Sequence, residues 1–147
     1  MATTYYSDKV IAGAHVPAKA GIHGNEVVAT FEAAVALVID DVIQMVKVPA
    51  GARVVDVILA VDDLDTDGSP AIVLDVGDGD NDDLYILGST KGQAGGVERM
   101  GVGIVGTAPG VFKVYSAEDT VDIHVDTAPV AGGTGTLSLY IRYTMNS

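Results

Sequence analysis

Apolar and polar residues alternate with a period of two through much of the chain. In RVVDVILAV, residues 53–61, Val55, Val57, Leu59 and Val61 share one face, while Asp56 interrupts the other, which holds Val54, Ile58 and Ala60. Side chains two apart point the same way in an extended chain, so this pattern predicts a half-buried strand. AIVLDVG, 71–77, repeats it with Ile72, Leu74 and Val76 inward, and LYILGS, 84–89, follows across DVGDGDNDDLY, 75–85. These two runs predict a hairpin with a long acidic tip. VDIHVD, 121–126, places Val121, Ile123 and Val125 inward and Asp122, His124 and Asp126 outward. LSLYIRYT, 137–144, puts Leu137, Leu139, Ile141 and Tyr143 on one face, and GVFKVYS, 110–116, reads as a further strand.

One stretch supports two readings. Residues 26–38 are Ala-rich enough for a helix, yet Val27, Ala29 and Phe31 alternate with Val28, Thr30 and Glu32. The strand reading is favoured: one strand here, a turn at Asp40-Asp41, and a second strand at Val42–Val48 ended by Pro49-Ala50-Gly51. DDLDTDGSP, 62–70, carries Asp-Gly and Ser-Pro punctuation and reads as a loop, as does APVAGGTGT, 128–136. Residues 90–110, with glycines at 92, 95, 96, 101, 103, 106 and 110, read as one long loop. Residues 1–24 are weakly periodic and predict an extended N-terminal arm, with a short strand at Lys9–Val16. The expectation is therefore an arm, 1–24, and one domain, 25–147, of seven to nine short strands. Its class is all-β: an antiparallel β-sandwich, with a jelly roll as the expected form.

Composition fits this class. Apolar residues make up 48% but aromatics only 5%, so the core is built from Val, Ile, Leu and Ala, which suit a pleated surface. At 147 residues, one domain can bury about two thirds of its unfolded surface and needs no cross-links. Cysteine is absent, which excludes a disulfide framework, a thiolate metal site and a cysteine nucleophile. The net charge of −12 repels phosphate backbones and anionic membranes, so neither nucleic acid nor membrane is an expected partner. The start has no basic segment leading into an apolar one, and the longest apolar run, AAVALVI at 33–39, is too short to span a bilayer. A soluble protein made in a cytoplasm is expected.

Candidate chemistry is sparse. The acidic stretch resembles a calcium loop, but counting from Asp78 its sixth position is Asp83 and its twelfth is Ser89, where an EF-hand needs glycine and glutamate. The expected state is a solvated turn, with Asp78, Asp80 and Asp82 offering at most opportunistic cation binding. Asp122, His124 and Asp126 on one strand face could arrange metal ligands, but any exposed strand face looks similar. His15 and His23 in the arm carry no further signal. GVGIVG, 101–106, matches a dinucleotide-binding spacing, yet Pro109 and Gly110 prevent the helix that would hold a pyrophosphate. No catalytic residue, cofactor or metal site is assigned, and no enzymatic activity is expected.

The segment DVIQMVKVPAGARVVDVILAVDDLDTDGSPAIVLDVGDGDNDDLYI, 41–86, resembles the capsid decoration, or cement, proteins of tailed bacteriophages, and is most similar to cyanophage-like examples. The shared features are KVPAGARV, a strand running into DDLDTDGSP, and LDVGDG before an acidic tip. The resemblance implies a β-sandwich, often a jelly roll, bound to the outer face of the capsid. It implies major capsid protein as partner, a homotrimer clamping neighbouring subunits, and no catalysis. It places the protein on the virion surface after synthesis in the host bacterial cytoplasm. An alternative is a virion jelly-roll module that binds carbohydrate or a host receptor. Sugar sites usually stack on exposed aromatics, and this chain has no Trp and six Tyr, with Tyr5 and Tyr6 in the arm and Tyr85, Tyr115, Tyr140 and Tyr143 in predicted strands. A calcium-dependent module resting on residues 75–85 is a third reading.

Overall fold

A computed structural model of the chain describes residues 2–11, 25–101, 110 and 113–145. Two sheets face each other. The first runs β1 (Thr4–Tyr6), β3 (Val42–Val48), β8 (Asp119–Thr127), β5 (Val73–Asp78), β6 (Ile86–Ser89); the second runs β2 (Asn25–Ala33), β9 (Gly135–Met145), β4 (Ala52–Val61), β7 (Gly96–Arg99). Every pairing is antiparallel except that of β1 with β3. From β2 onward the strands divide into two groups of four, in the orders β2-β9-β4-β7 and β3-β8-β5-β6. The expected all-β sandwich is present.

The alternation explains the core. Ala29, Ile43, Val57, Leu59, Leu74, Val76, Ile123, Val125, Leu139 and Ile141 all turn inward and are buried. The ambiguous stretch 26–38 is strand as far as Ala33, and Asp40 closes the following turn with φ of 66°. Asp tolerates this left-handed conformation better than most residues. Buried Asp41 then fixes the connection: its Oδ2 accepts the Val38 N–H at 2.8 Å, and its Oδ1 accepts Thr3 N–H at 2.7 Å.

Four expectations need correction. Val55 does not share the inward face with Val57. A bulge between Val54 and Asp56 inserts one residue, so Val54 points inward before it and Val57 after it. Residues 90–110 are not one loop: a 3₁₀ turn (Lys91–Gln93) and β7 interrupt them, β7 pairing with β4 through the register Ile58↔Arg99 to Val61↔Gly96. The run 110–116 is not a strand where described. Residues 113–115 are irregular, although Tyr115 bridges the start of β4, donating to Ala52 O at 2.9 Å and accepting from Gly51 N–H at 2.7 Å. The expected strand at Lys9–Val16 is a helical turn, α1 (Asp8–Ile11), in its described part; the rest lies outside the described residues.

The described start of the arm packs on the sandwich. Ser7 is buried, its N–H donates to Gln44 O at 2.9 Å, and its hydroxyl donates to Met45 O. Asp8 Oδ1 accepts the Thr30 N–H of β2 at 2.8 Å, and the rings of Tyr5 and Phe31 lie 5.3 Å apart. One short segment thus joins an edge of the first sheet to an edge of the second, covering strand groups that would otherwise be open to pairing.

Candidate functional site

The acidic hairpin tip is a built structure. Where β5 ends, Asp78 Oδ1 accepts the N–H groups of Asp80 and Asn81, both at 3.0 Å, which turns the chain, and Asp78 N–H donates to Asn81 O at 2.9 Å. Gly77 permits this fold-back, because a Cβ there would lie 2.0 Å from the Asn81 carbonyl oxygen. Asp78 is buried, not solvated as expected, and its Oδ2 accepts Lys113 Nζ at 2.6 Å and the Tyr115 hydroxyl at 2.9 Å. Tyr115 and Tyr85 share a hydroxyl hydrogen bond of 2.7 Å, and the Lys113 ammonium sits 4.7 Å from the Tyr115 ring centre. Burial pushes the Asp78 carboxyl up, but Lys113, Tyr115 and two backbone N–H groups outweigh it and hold its pKa below the ordinary value. Burial pushes both tyrosine hydroxyls well up.

Carboxylate oxygens of Asp78, Asp80 and Asp119 lie within 4.8 Å of one another, close enough to share a cation. Lys113 Nζ, at 2.6 Å from Asp78 Oδ2 and 3.4 Å from Asp80 Oδ2, already supplies a positive charge there. Asp82, the third residue expected to offer cation binding, points elsewhere, to 3.9 Å from His124 Nε2.

The tip folds over the outer face of the first sheet, where Asp122, His124 and Asp126 lie. They are not equally exposed as expected: Asp122 is buried, His124 is half-buried and only Asp126 is exposed. Asp122 stands opposite Gly77, beneath the backbone of Asn81 and Asp82. Its Oδ1 has no hydrogen-bond partner. Burial, with the charges of Asp119, Asp78 and Asp82, raises its pKa to about 7. His124 lies among carboxylates, with Nε2 3.7 Å from Asp40 Oδ1 and Nδ1 3.9 Å from Asp75 Oδ2, distances too long for hydrogen bonds. Asp75, also buried, accepts the Gly88 N–H at 2.6 Å; burial raises its pKa, and so does Asp126. His124 thus lines a pocket of about 480 Å³ floored and walled by aspartates.

A second hub lies at the opposite end. Asp65, in the acidic loop, is buried and accepts backbone N–H groups from Ala71 at 2.7 Å, Ile72 at 3.1 Å, Val130 at 2.9 Å and Ala131 at 3.0 Å. Burial works against its charge, yet these donors win and lower its pKa. Two loops distant in sequence are thereby tied together. The signal available in the sequence was the Asx-turn composition of DDLDTDGSP, which does not say which aspartate turns inward.

The outer face of the second sheet is different in kind. Cross-strand register places Val28, Tyr140, Ile58 and Arg99 in one row, Thr30, Ser138, Ala60 and Val97 in the next, and Glu26, Arg142 and Asp56 in a third. Arg99 grips Asp56 with two bonds, at 2.8 and 2.6 Å.

His15, His23 and residues 102–106 of GVGIVG lie outside the described residues. No helix among the described residues is long and apolar enough to cross a membrane.

No protein-family model matches the sequence, and no curated protein does. Solved structures do. The chain is similar to one in the capsid of Ralstonia phage GP4, with 30% identity, a TM-score of 0.76, and coverage of 98% of this chain and 99% of that one. It is also similar to a chain of the cyanophage Pam1 capsid asymmetric unit, with 28% identity, a TM-score of 0.69, and coverage of 91% and 95%. A chain of the acid-stable capsid of Helicobacter pylori bacteriophage KHP30 shares the fold, at 17% identity and a TM-score of 0.51, with coverage of 86% and 92%.

Proposed function

The chain belongs to a family of bacteriophage capsid proteins, and from that premise we propose that it is a decoration, or cement, protein. It binds the outer surface of the capsid and stabilises contacts between major capsid protein subunits. It acts as a homotrimer, without catalysis and without a cofactor, on a virion assembled from protein made in the host bacterial cytoplasm. Residues 25–147 are its sandwich domain, and residues 1–24 are an arm whose first part docks on that domain.

The observation that carries this reading is the end-to-end match to a capsid chain of nearly the same length. The strand orders β2-β9-β4-β7 and β3-β8-β5-β6 support reading the sandwich as a jelly roll. A net charge of −12 favours a protein that faces solvent rather than packaged DNA. A trimer touching several subunits gains avidity without any tight single contact.

The test is cosedimentation of the purified protein with expanded shells that lack it, together with shell melting. Saturable binding and a raised shell melting temperature are expected. Absence of binding at micromolar protein sinks the proposal.

A further inference from the structure

The two broad faces of the sandwich differ in electrostatic character. The chain has three arginines, Arg53, Arg99 and Arg142, and all three lie on the outer face of the second sheet. They share it with four acidic residues, Glu26, Glu32, Asp56 and Asp62, so the face carries about one net negative charge (3 − 4 = −1) and nearly all of the net charge of −12 lies elsewhere. Its centre, on β9 and β4, holds Tyr140, Ile58 and Ala60, and exposed valines flank it on the two edge strands, Val28 (55% exposed) on β2 and Val97 (60% exposed) on β7. Branched aliphatic residues lying flat in water on a two-sheet sandwich are unusual, since that face normally alternates to polar. An apolar centre, a tyrosine and an arginine rim are the composition of a contact surface.

Resting on the decoration reading, we propose that this face is the one seated on the shell. Its occupant is the outer surface of a shell subunit that presents an apolar strip flanked by carboxylates. A second copy of this chain is the poorer partner. Face-to-face pairing would bring together two bodies of charge −12. A shell surface with carboxylates at the rim meets Arg53, which has no ion pair among the described residues, and Arg99, whose side chain is 63% exposed. Seating this face inward leaves the aspartate-lined face of the first sheet towards solvent.

The size of the face sets the strength. Four strands spaced about 4.8 Å apart and averaging about 28 Å long give on the order of 500 Å². That is below the roughly 800 Å² per partner of a standard stable complex. One copy binds weakly, so attachment depends on several copies engaging together.

The experiment uses the full chain and shells lacking it. Val28→Asp on β2 and Val97→Asp on β7 each place a carboxylate on the face, one at either edge of its apolar centre, without touching the core. Asp126→Arg on the opposite face and Ile39→Asp, an exposed apolar residue of the β2–β3 loop, serve as comparisons. Circular dichroism and sedimentation velocity check folding and oligomeric state. The expected result is a tenfold or larger loss of shell affinity for both valine variants, with folding and oligomeric state unchanged, and near wild-type affinity for Asp126→Arg and Ile39→Asp. The inference is overturned if wild type binds and the valine variants bind equally. It is also overturned if they change oligomeric state rather than shell affinity, or if Ile39→Asp or Asp126→Arg abolishes binding instead. Failure of wild type itself to bind overturns the decoration reading, a distinct outcome.

Discussion

Asp122→Asn should make the protein more stable, and more so at pH 8 than at pH 5. The carboxyl is 7% exposed, its Oδ1 has no partner, and Asp119, Asp78 and Asp82 crowd it with like charge. Its pKa in the folded chain is about 7, against an ordinary 3.8. The folded state therefore holds the proton more tightly than the unfolded state. Stability falls as pH rises from about 4 to about 7, and the deficit is complete above that. At about 1.36 kcal/mol per pH unit, the ceiling of the deficit is about 4 kcal/mol at pH 8. At pH 5 the folded carboxyl is neutral and the deficit is about 1.5 kcal/mol; near pH 4 it almost vanishes. Asparagine keeps the shape and removes the charge. For a chain of this length, 1 kcal/mol moves Tm by about 3 °C. The variant should therefore gain roughly 6–13 °C at pH 8 and no more than about 5 °C at pH 5. Differential scanning calorimetry on both proteins at pH 4, 5, 7 and 8 measures this directly. A gain independent of pH, or a loss at pH 8, refutes the assignment of a buried, charge-crowded carboxyl.

Asp65→Asn should lower Tm at pH 7 by several degrees and speed hydrogen exchange at the amides of Ala71, Ile72, Val130 and Ala131; unchanged exchange at Val130 and Ala131 would refute its role as a tie between loops. Because its folded pKa is lowered, the gap between variant and wild type should close as pH falls below about 4. Lys113→Met leaves Asp78 buried without its cation and should cost about 1–3 kcal/mol in urea unfolding at pH 7, and a neutral result would show that the ammonium is dispensable. Gly77→Ala drives a methyl into the Asn81 carbonyl and should destabilise by about 1–3 kcal/mol, whereas Gly68→Ala, with open space around it, should be near neutral. Equal effects of the two alanines would contradict the packed fold-back of the tip.

The strands with strict alternation were legible because burial on one face leaves a period of two. That held for β8, β9 and β5, and it chose strand over helix for 25–33. It failed where backbone irregularity breaks the period. At β4 the bulge shifts Val55 off the inward face, and at β3 a bulge lets adjacent Met45 and Val46 both be buried. β7 was hidden because GVER is short, sits among glycines and gains its place from pairing with β4, a non-local contact. The tip was read as an acidic turn, which it is, but composition could not tell Asp78 from Asp80. The distinction comes from Lys113 and Tyr115, which reach it from 35 and 37 residues away. The arginine face was not seen because Arg53, Arg99 and Arg142 come together only through the register of three strands.

The acidic composition has two structural consequences of opposite sign. Asp65 and Asp78 are buried carboxylates whose pKa is lowered by donors, so they support the fold above about pH 4 and withdraw that support in acid. Asp75 and Asp122 are buried carboxylates whose pKa is raised, so protonation relieves them as pH falls. Acidification from pH 7 to 5 therefore removes a penalty at Asp122 before it touches the two hubs. The same step also lowers the self-repulsion of a chain with net charge −12. Stability should thus hold or rise on mild acidification and collapse only when the hubs are protonated. A reading based on net charge alone places no such break, because it treats all twenty acidic residues as one solvated population.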